Sequence, residues 1–241
     1  MNKLLVGLFL CVCVGIHAQD IDSIPLIQGI YGSPKPFWDK GYRLDSLGVN
    51  AIFVRGSSIT LPMIKRARAE GLNVFVEFPT LNGKGYVETH PEAWAIDENG
   101  KRVEAAGWFM GVCPTEEGFR RYRAEQLRNL LREYPIDGIW LDYVHWHAQF
   151  EEPEPILPET CFCDHCLSAF AAEKKVDLPS GSTSEKAQWI LSQQDSLWRD
   201  WRCEVIADWT EDLKNILLAE RPGALLGLFH CPWEDTAFNG A

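Results

Sequence analysis

Three cysteines, Cys161, Cys163 and Cys166, fall within six positions of the segment LPETCFCDHCLSAF. Cys-x-Cys-x2-Cys supplies three soft ligands in one tight turn, and a tetrahedral zinc ion takes four. His165 is one candidate for the fourth, but neighbouring residues rarely both reach one ion from a tight knuckle. Cys113, in GVCP at the start of a helix, is the better candidate because it ends the preceding long loop. Such a site would staple two loops together and, with four protein ligands, would be closed and structural. The competing reading is a set of disulfides, natural in an exported protein. Cys203 on a helix and Cys231 at a strand end do not look like loop staples, and the close spacing of the other cysteines strains a bridge between them. We expect zinc.

A second candidate for chemistry is Asp142. In IDGIWLDYVHW the strand is apolar up to Leu141, and a carboxylate then arrives at its C-terminal end. A buried aspartate without a partner costs several kcal/mol, so it is either catalytic or a structural hydrogen-bonding group, for instance paired with Arg55. Acid–base chemistry at such a carboxylate often enlists a second carboxyl group. Glu77, ending an earlier strand, and Glu234 or Asp235, beyond a later one, are the options. Glu77 could equally accept a substrate hydroxyl or pair with Arg55, and Glu234 and Asp235 could be a solvated loop. His145-Trp146-His147 invites a metal reading, but alternating histidines need further ligands at definite geometry. One histidine facing the mouth and bonding substrate is the better expectation. Trp38, Trp94, Trp108, Trp146 and Trp233 all fall near or beyond expected strand ends. Their faces suit the C–H surfaces of sugars, although each taken singly is more often packing.

These residues need a scaffold, and one pattern recurs along the chain: a charged helix end, a Gly or Pro, then a short apolar strand. It appears in LDSLGVNAIFV, ARAEGLNVFVEF, LREYPIDGIWLDYV and LAERPGALLGLFHCPW, with an earlier strand in LIQGIYG. Apolar strands alternating with helices indicate a parallel sheet covered by helices. GIYGSPKPFW lacks the spacing of a dinucleotide-binding turn. We therefore expect an α/β fold of the (β/α)8 TIM-barrel type, whose active site lies at the C-terminal strand ends. Tyr31, Arg55, Glu77, Asp142 and the segment His230–Asp235 would form its mouth. Only about five βα units are visible, so the barrel looks incomplete and the chain is expected to be part of a longer protein. Two long insertions, residues 80–114 and 146–165, interrupt the pattern, and loops of this length on a barrel's upper face are usually functional. DENGK in the first looks like a hairpin turn. A long helix is expected over residues 185–220, with Trp198, Trp201, Val205, Trp209, Leu213 and Ile216 at helical spacing and packed on the sheet.

The first residues read as a secretion signal: MNK, a short apolar run, then His17-Ala18 before Gln19. The run is shorter than the about 20 residues that span a bilayer. The expected organisation is a signal peptide over 1–18 and the N-terminal part of a glycosidase-like barrel over 19–241. Removing residues 1–18 removes Lys3 and no acid, so the net charge of −11 becomes −12. An acidic chain without a basic cluster has no electrostatic reason to bind nucleic acid or anionic lipid.

CPTEEGFRRYRAEQLRNLLREY, a following strand and CFCDHCLSAF together resemble the β-galactosidases of glycoside hydrolase family 42 over about residues 107–170. In that family a Cys-Pro precedes the helix, the fourth strand carries a catalytic carboxylate and a CxCxxC knuckle completes a zinc site. The resemblance implies that Cys113, Cys161, Cys163 and Cys166 are zinc ligands. The family ends strand four with Asn-Glu, whereas this chain has Leu141-Asp142-Tyr143. In that respect it looks more like uncharacterised glycoside-hydrolase-like barrel proteins of bacteria. The role of Asp142 stays open between nucleophile and acid/base. We expect an exported protein that cleaves O-glycosidic bonds of an oligo- or polysaccharide, with Asp142, Glu77 and Glu234 as catalytic candidates. Tyr31, Arg55, Tyr143, His145, Trp146 and Trp233 are expected to bind substrate. A structural zinc and no organic cofactor are expected. The alternatives are a non-catalytic carbohydrate-binding barrel and a metal-dependent hydrolase using His145 and His147.

Overall fold

Strand order is the first thing that the fold of this chain settles. A computed structural model describes residues 26–150 and 155–229. Its strands are β1 (Gly29–Tyr31), β2 (Ala51–Arg55), β3 (Asn73–Pro79), β4 (Gly138–Asp142) and β5 (Leu225–Leu228). All pair in parallel, in the order β1-β2-β3-β4-β5. Each new strand is laid beside the previous one with no reversal, which is the winding of a (β/α) barrel and not of a doubly wound sheet.

The intervening helices are α1 (Lys35–Asp39), α2 (Leu61–Ala69), α3 (Lys84–Val87), α4 (Glu117–Glu133), α5 (Asp164–Lys174), α6 (Thr183–Gln193) and α7 (Asp195–Glu220). The helix expected over 185–220 is thus two helices. Ser182 and Glu185 form a capping box that starts α6, and the backbone breaks at Gln194. No Gly or Pro marks the break, so the apolar spacing ran through it unseen. The tryptophans of α7 are buried as expected, but they pack mainly on α4 and on the segment 162–170. The signal segment 1–18, Cys231, Trp233, Glu234 and Asp235 lie outside the described residues. Among the described residues, no helix is long and apolar enough to cross a membrane.

Side chains alternate across the sheet, so register decides which residues share a face. Ile52, Val54, Val74, Val76, Ile139 and Leu141 belong to the buried core, as strands covered by helices require. The opposite face carries Phe53, Phe75 and Trp140, whose ring centroids lie 4.7–5.1 Å apart. Glycines make room for them: a Cβ on Gly29 would overlap the Phe53 ring, and one on Gly227 the Trp140 ring. This face is strongly concave. In a flat sheet β1 and β5 would stand about 19 Å apart, four strand spacings. Instead Tyr31 of β1 meets Phe229, just beyond β5, edge to face at 5.6 Å. The five strands form a partial barrel, with the aromatic face as its interior.

Gly138 lies where β4 meets β5, and a Cβ there would overlap the Leu225 carbonyl oxygen. Gly138→Ala should lower stability by about 1–3 kcal/mol, the usual cost of overpacking, measured as a fall in the urea midpoint with an unchanged slope.

Candidate active site and cysteine knuckle

At the C-terminal rim of the concave face, the register sets Arg55 beside Glu77. Glu77 is only 7% exposed. Its Oε2 accepts a hydrogen bond from the Tyr31 hydroxyl, and the Arg55 Nε lies 3.7 Å from the same oxygen. The ion pair with Arg55, one of the alternatives open for Glu77, is thus present. Burial raises the Tyr31 pKa, and its bond to the Glu77 carboxylate adds to the effect, so this phenol is kept protonated as a donor. Three residues from three adjacent strands are thereby held in one group.

Asp142 ends β4 opposite Pro79, which places it on the same face as Glu77, one strand over and two residues further along. Strand spacing and rise put the two Cα atoms about 8 Å apart. Asp142 Oδ1 accepts from the backbone N–H of Tyr143 at 2.8 Å. Tyr143 has φ 55°, a left-handed conformation uncommon for a bulky residue. Several contacts hold it there. Its carbonyl accepts from Leu81 N–H at 3.2 Å, its ring stacks on Phe109 at 5.2 Å, and its hydroxyl accepts from the Trp108 indole at 3.1 Å. An open cleft of about 750 Å3 is lined by Arg55, Glu77, Trp108 and Tyr143 and continues past Asn82 to Arg123.

The remaining expected substrate-binding residues are placed differently. Trp146 is buried: its ring lies 5.0 Å from the Arg202 guanidinium and 6.0 Å from Trp201, and its N–H donates to the Arg202 carbonyl. It is turned into the core, away from the cluster of Tyr31, Arg55 and Glu77, because an indole this large finds apolar cover there. His145 packs between Phe109 and Phe150, with Nδ1 2.7 Å from the Trp146 carbonyl. His147 Nδ1 accepts the Gly111 N–H at 3.0 Å, so that nitrogen serves the loop. Burial lowers the pKa of both, that of His147 to about 4. No third His, Cys, Asp or Glu joins these two among the described residues. Two of the other tryptophans, Trp38 in α1 and Trp94 in a loop, also serve packing. Trp38 donates to Glu70 beside the N-terminal end of β3, and Trp94 donates to the Val103 carbonyl beneath Arg102.

Cys113, Cys161, Cys163 and Cys166 come together at the start of α4 and α5, all buried, with their sulfurs within 4.8 Å of one another. Cys113 Sγ lies 3.3 Å from Cys163 Sγ and 3.5 Å from Cys166 Sγ. Four thiolates about 2.3 Å from one zinc ion would stand about 3.8 Å apart, so the donor set fits a tetrahedral thiophilic ion. The exposed His165 is not one of the group. None of the described cysteines forms a disulfide. Burial pushes the Cys161 and Cys166 thiols up, whereas hydrogen bonds from Cys113 and the other thiols pull Cys163 down.

Supporting bonds orient the sulfurs. Ile96 N–H donates to Cys161 Sγ at 3.3 Å, Cys166 N–H to Cys163 Sγ at 3.4 Å, and the Thr115 hydroxyl lies 3.2 Å from Cys166 Sγ. Thr115 and Ile96 carry no sequence signal of their own, beyond Thr115 following Cys-Pro. The DENGK turn forms as expected, closed by Asp97 N–H on the Lys101 carbonyl at 2.8 Å, and it brings Ile96 to the knuckle. From α7, Trp209 N–H donates to the Pro114 carbonyl at 2.6 Å and Trp198 stacks on Phe162 at 4.9 Å. One helix thus holds both halves of the cluster.

No protein-family model matches the chain, and no curated protein does. Solved structures match over most of the chain. A β-galactosidase from the Antarctic haloarchaeon Halorubrum lacusprofundi superposes with TM-score 0.60 at 14% identity, over 85% of this chain and 36% of that one. The α-L-fucosidase isoenzyme 2 from Paenibacillus thiaminolyticus gives 0.57 at 15%, over 87% and 33%. A GH42 β-galactosidase from G. stearothermophilus gives 0.53 at 12%, over 84% and 35%. The fold is that of the glycoside-hydrolase barrels, as the resemblance implied. The chain spans about a third of the length of these proteins.

His147 yields a pH prediction. Its folded pKa, about 4, lies below the unfolded value of about 6.5, so the unfolded chain binds more protons between the two. Stability is full above pH 6.5 and falls as the pH drops towards 4. The loss should reach about 3 kcal/mol at most. His147→Gln, which keeps an acceptor for Gly111, should flatten this dependence in urea titrations at several pH values.

Proposed function

We propose that the protein hydrolyses O-glycosidic bonds of an oligo- or polysaccharide at the rim of the concave face, with Asp142 and Glu77 as its carboxyl pair. The observation carrying this reading is their placement on one face of adjacent strand ends, the position where barrel enzymes keep their chemistry. In such hydrolysis one carboxyl group protonates the leaving glycosidic oxygen. The other attacks the anomeric carbon or activates water. Glu77 is oriented by the Tyr31 hydroxyl and by Arg55, and Asp142 by the Tyr143 N–H. Each carboxylate therefore meets substrate with one oxygen already positioned, which lowers the entropy lost on reaching the transition state.

Two further parts belong to this proposal. Residues 1–18 direct export and are removed. Cys113, Cys161, Cys163 and Cys166 hold a zinc ion that fixes the loops after β3 and β4. With four protein ligands, the ion supplies folding energy and has no open position for a reactant. The chemistry rests on the carboxylates.

Asp142→Asn tests the reaction. It should lower turnover of the cleaved glycoside by about 10²–10⁴ while glycan binding persists, with release of reducing sugar from a panel of oligosaccharides and nitrophenyl glycosides as the readout. An undiminished rate would remove Asp142 from the mechanism. Binding without turnover in the unsubstituted protein would make it a carbohydrate-binding barrel instead.

A further inference from the structure

Most tryptophans in the described part of the chain are covered. Trp198, Trp201 and Trp209 lie in the core, Trp146 is buried against Arg202, and Trp38 and Trp94 lie beneath arginines. Trp108 is the exception, at 53% exposure. Scattered exposed apolar residues are ordinary on protein surfaces, so exposure by itself says little. The way this indole is held says more.

Trp108 sits at the tip of a two-residue hairpin closed by Ala106 N–H on Phe109 O at 2.9 Å and Phe109 N–H on Ala106 O at 3.0 Å. Gly107, with φ 60°, takes the first corner, the position that requires glycine in this turn. Phe109, next in the chain, is 1% exposed and is the turn's anchor, packed on Tyr143, His145 and His147. The one polar atom of the Trp108 side chain is already used in its bond to the Tyr143 hydroxyl. What the indole offers the cleft is therefore an apolar face with fixed orientation. Arg55 and Glu77 line the same cleft.

We infer that Trp108 and Tyr143 form a stacking platform for one pyranose ring of the substrate, with the ring's C–H face on the indole and its hydroxyls turned towards Glu77 and Arg55. An apolar plate rimmed by a carboxylate and a guanidinium matches a ligand that is apolar on one face and hydroxylated at its edge. The preformed turn keeps the ordering cost of binding low. This inference rests on the reading of the rim as a glycosidase site. Trp108 takes no part in bond cleavage; it is a binding residue.

The test uses the Asp142→Asn protein, in which bound glycan is not consumed, and the indole N–H signals of its NMR spectrum. The Trp108 signal is assigned by its loss in Trp108→Phe. Cellotetraose, mannotetraose and β-1,4-galactotetraose serve as probes. The platform predicts that a bound tetrasaccharide shifts the Trp108 signal saturably. It also predicts that Trp108→Ala weakens that binding about tenfold while Trp108→Phe keeps most of it, and that in the active protein Trp108→Ala raises KM more than it lowers kcat. Shifts at the Glu77 and Tyr143 amides, with Trp108 unmoved and affinity unchanged in Trp108→Ala, would overturn the platform and leave the glycosidase reading intact. No binding of any of the three, together with no turnover of the glycoside panel, would overturn both.

Discussion

Four buried sulfurs within 4.8 Å of one another are the constraint on which the upper face of this barrel depends. Burying negative charge in an apolar setting is expensive unless a cation or donors compensate it, and the sulfurs cannot separate without unmaking the loops that carry them. Cys113 ends the long loop after β3; Cys163 caps the helix that follows the loop after β4, Cys166 lies in its first turn and Cys161 just ahead of it. Ile96, Thr115 and two tryptophans of α7 hold this junction from outside. A bound ion would turn two long insertions, otherwise costly to order, into one fixed body.

That body reaches the rim through short links. Gly111, two residues before Cys113, donates to His147, and the Trp108–Phe109 turn just ahead of it packs on Tyr143. Tyr143 in turn holds Asp142 through its N–H and accepts strain of about 1–3 kcal/mol in its backbone to do so. From the other side, Tyr31 and Arg55 hold Glu77. The two carboxylates are thus supported by different means: Glu77 by neighbouring strands within the barrel, Asp142 by the knuckle-bound loops above it. A lesion in the knuckle would accordingly be felt at Asp142 before Glu77.

Much of this was legible in the sequence, for identifiable reasons. Apolar strands each preceded by a charged helix end and a Gly or Pro gave β2 to β5, because parallel strands covered by helices must be apolar. Cysteine spacing located the knuckle, since three thiols so close have few alternatives. Asp142 stood out as a carboxylate at the end of an apolar strand. Side-chain direction was the weak point. Trp38, Trp94 and Trp146 lie near strand ends in the sequence, yet they turn towards Glu70, Val103 and Arg202; only the path of the connecting segments decides that. The break at Gln194 was equally invisible, because both helices continue the same apolar spacing. The meeting of Tyr31 with Phe229 follows from sheet curvature, a property of the whole barrel that no local stretch contains.

The four thiols are placed to join the two loops through one metal ion. X-ray absorption at the zinc K-edge, on protein purified without added metal, tests it most directly. One zinc per chain with four sulfur neighbours at about 2.3 Å is expected. A shell of nitrogen or oxygen neighbours, or metal-free protein whose cysteines are paired as disulfides, would contradict it.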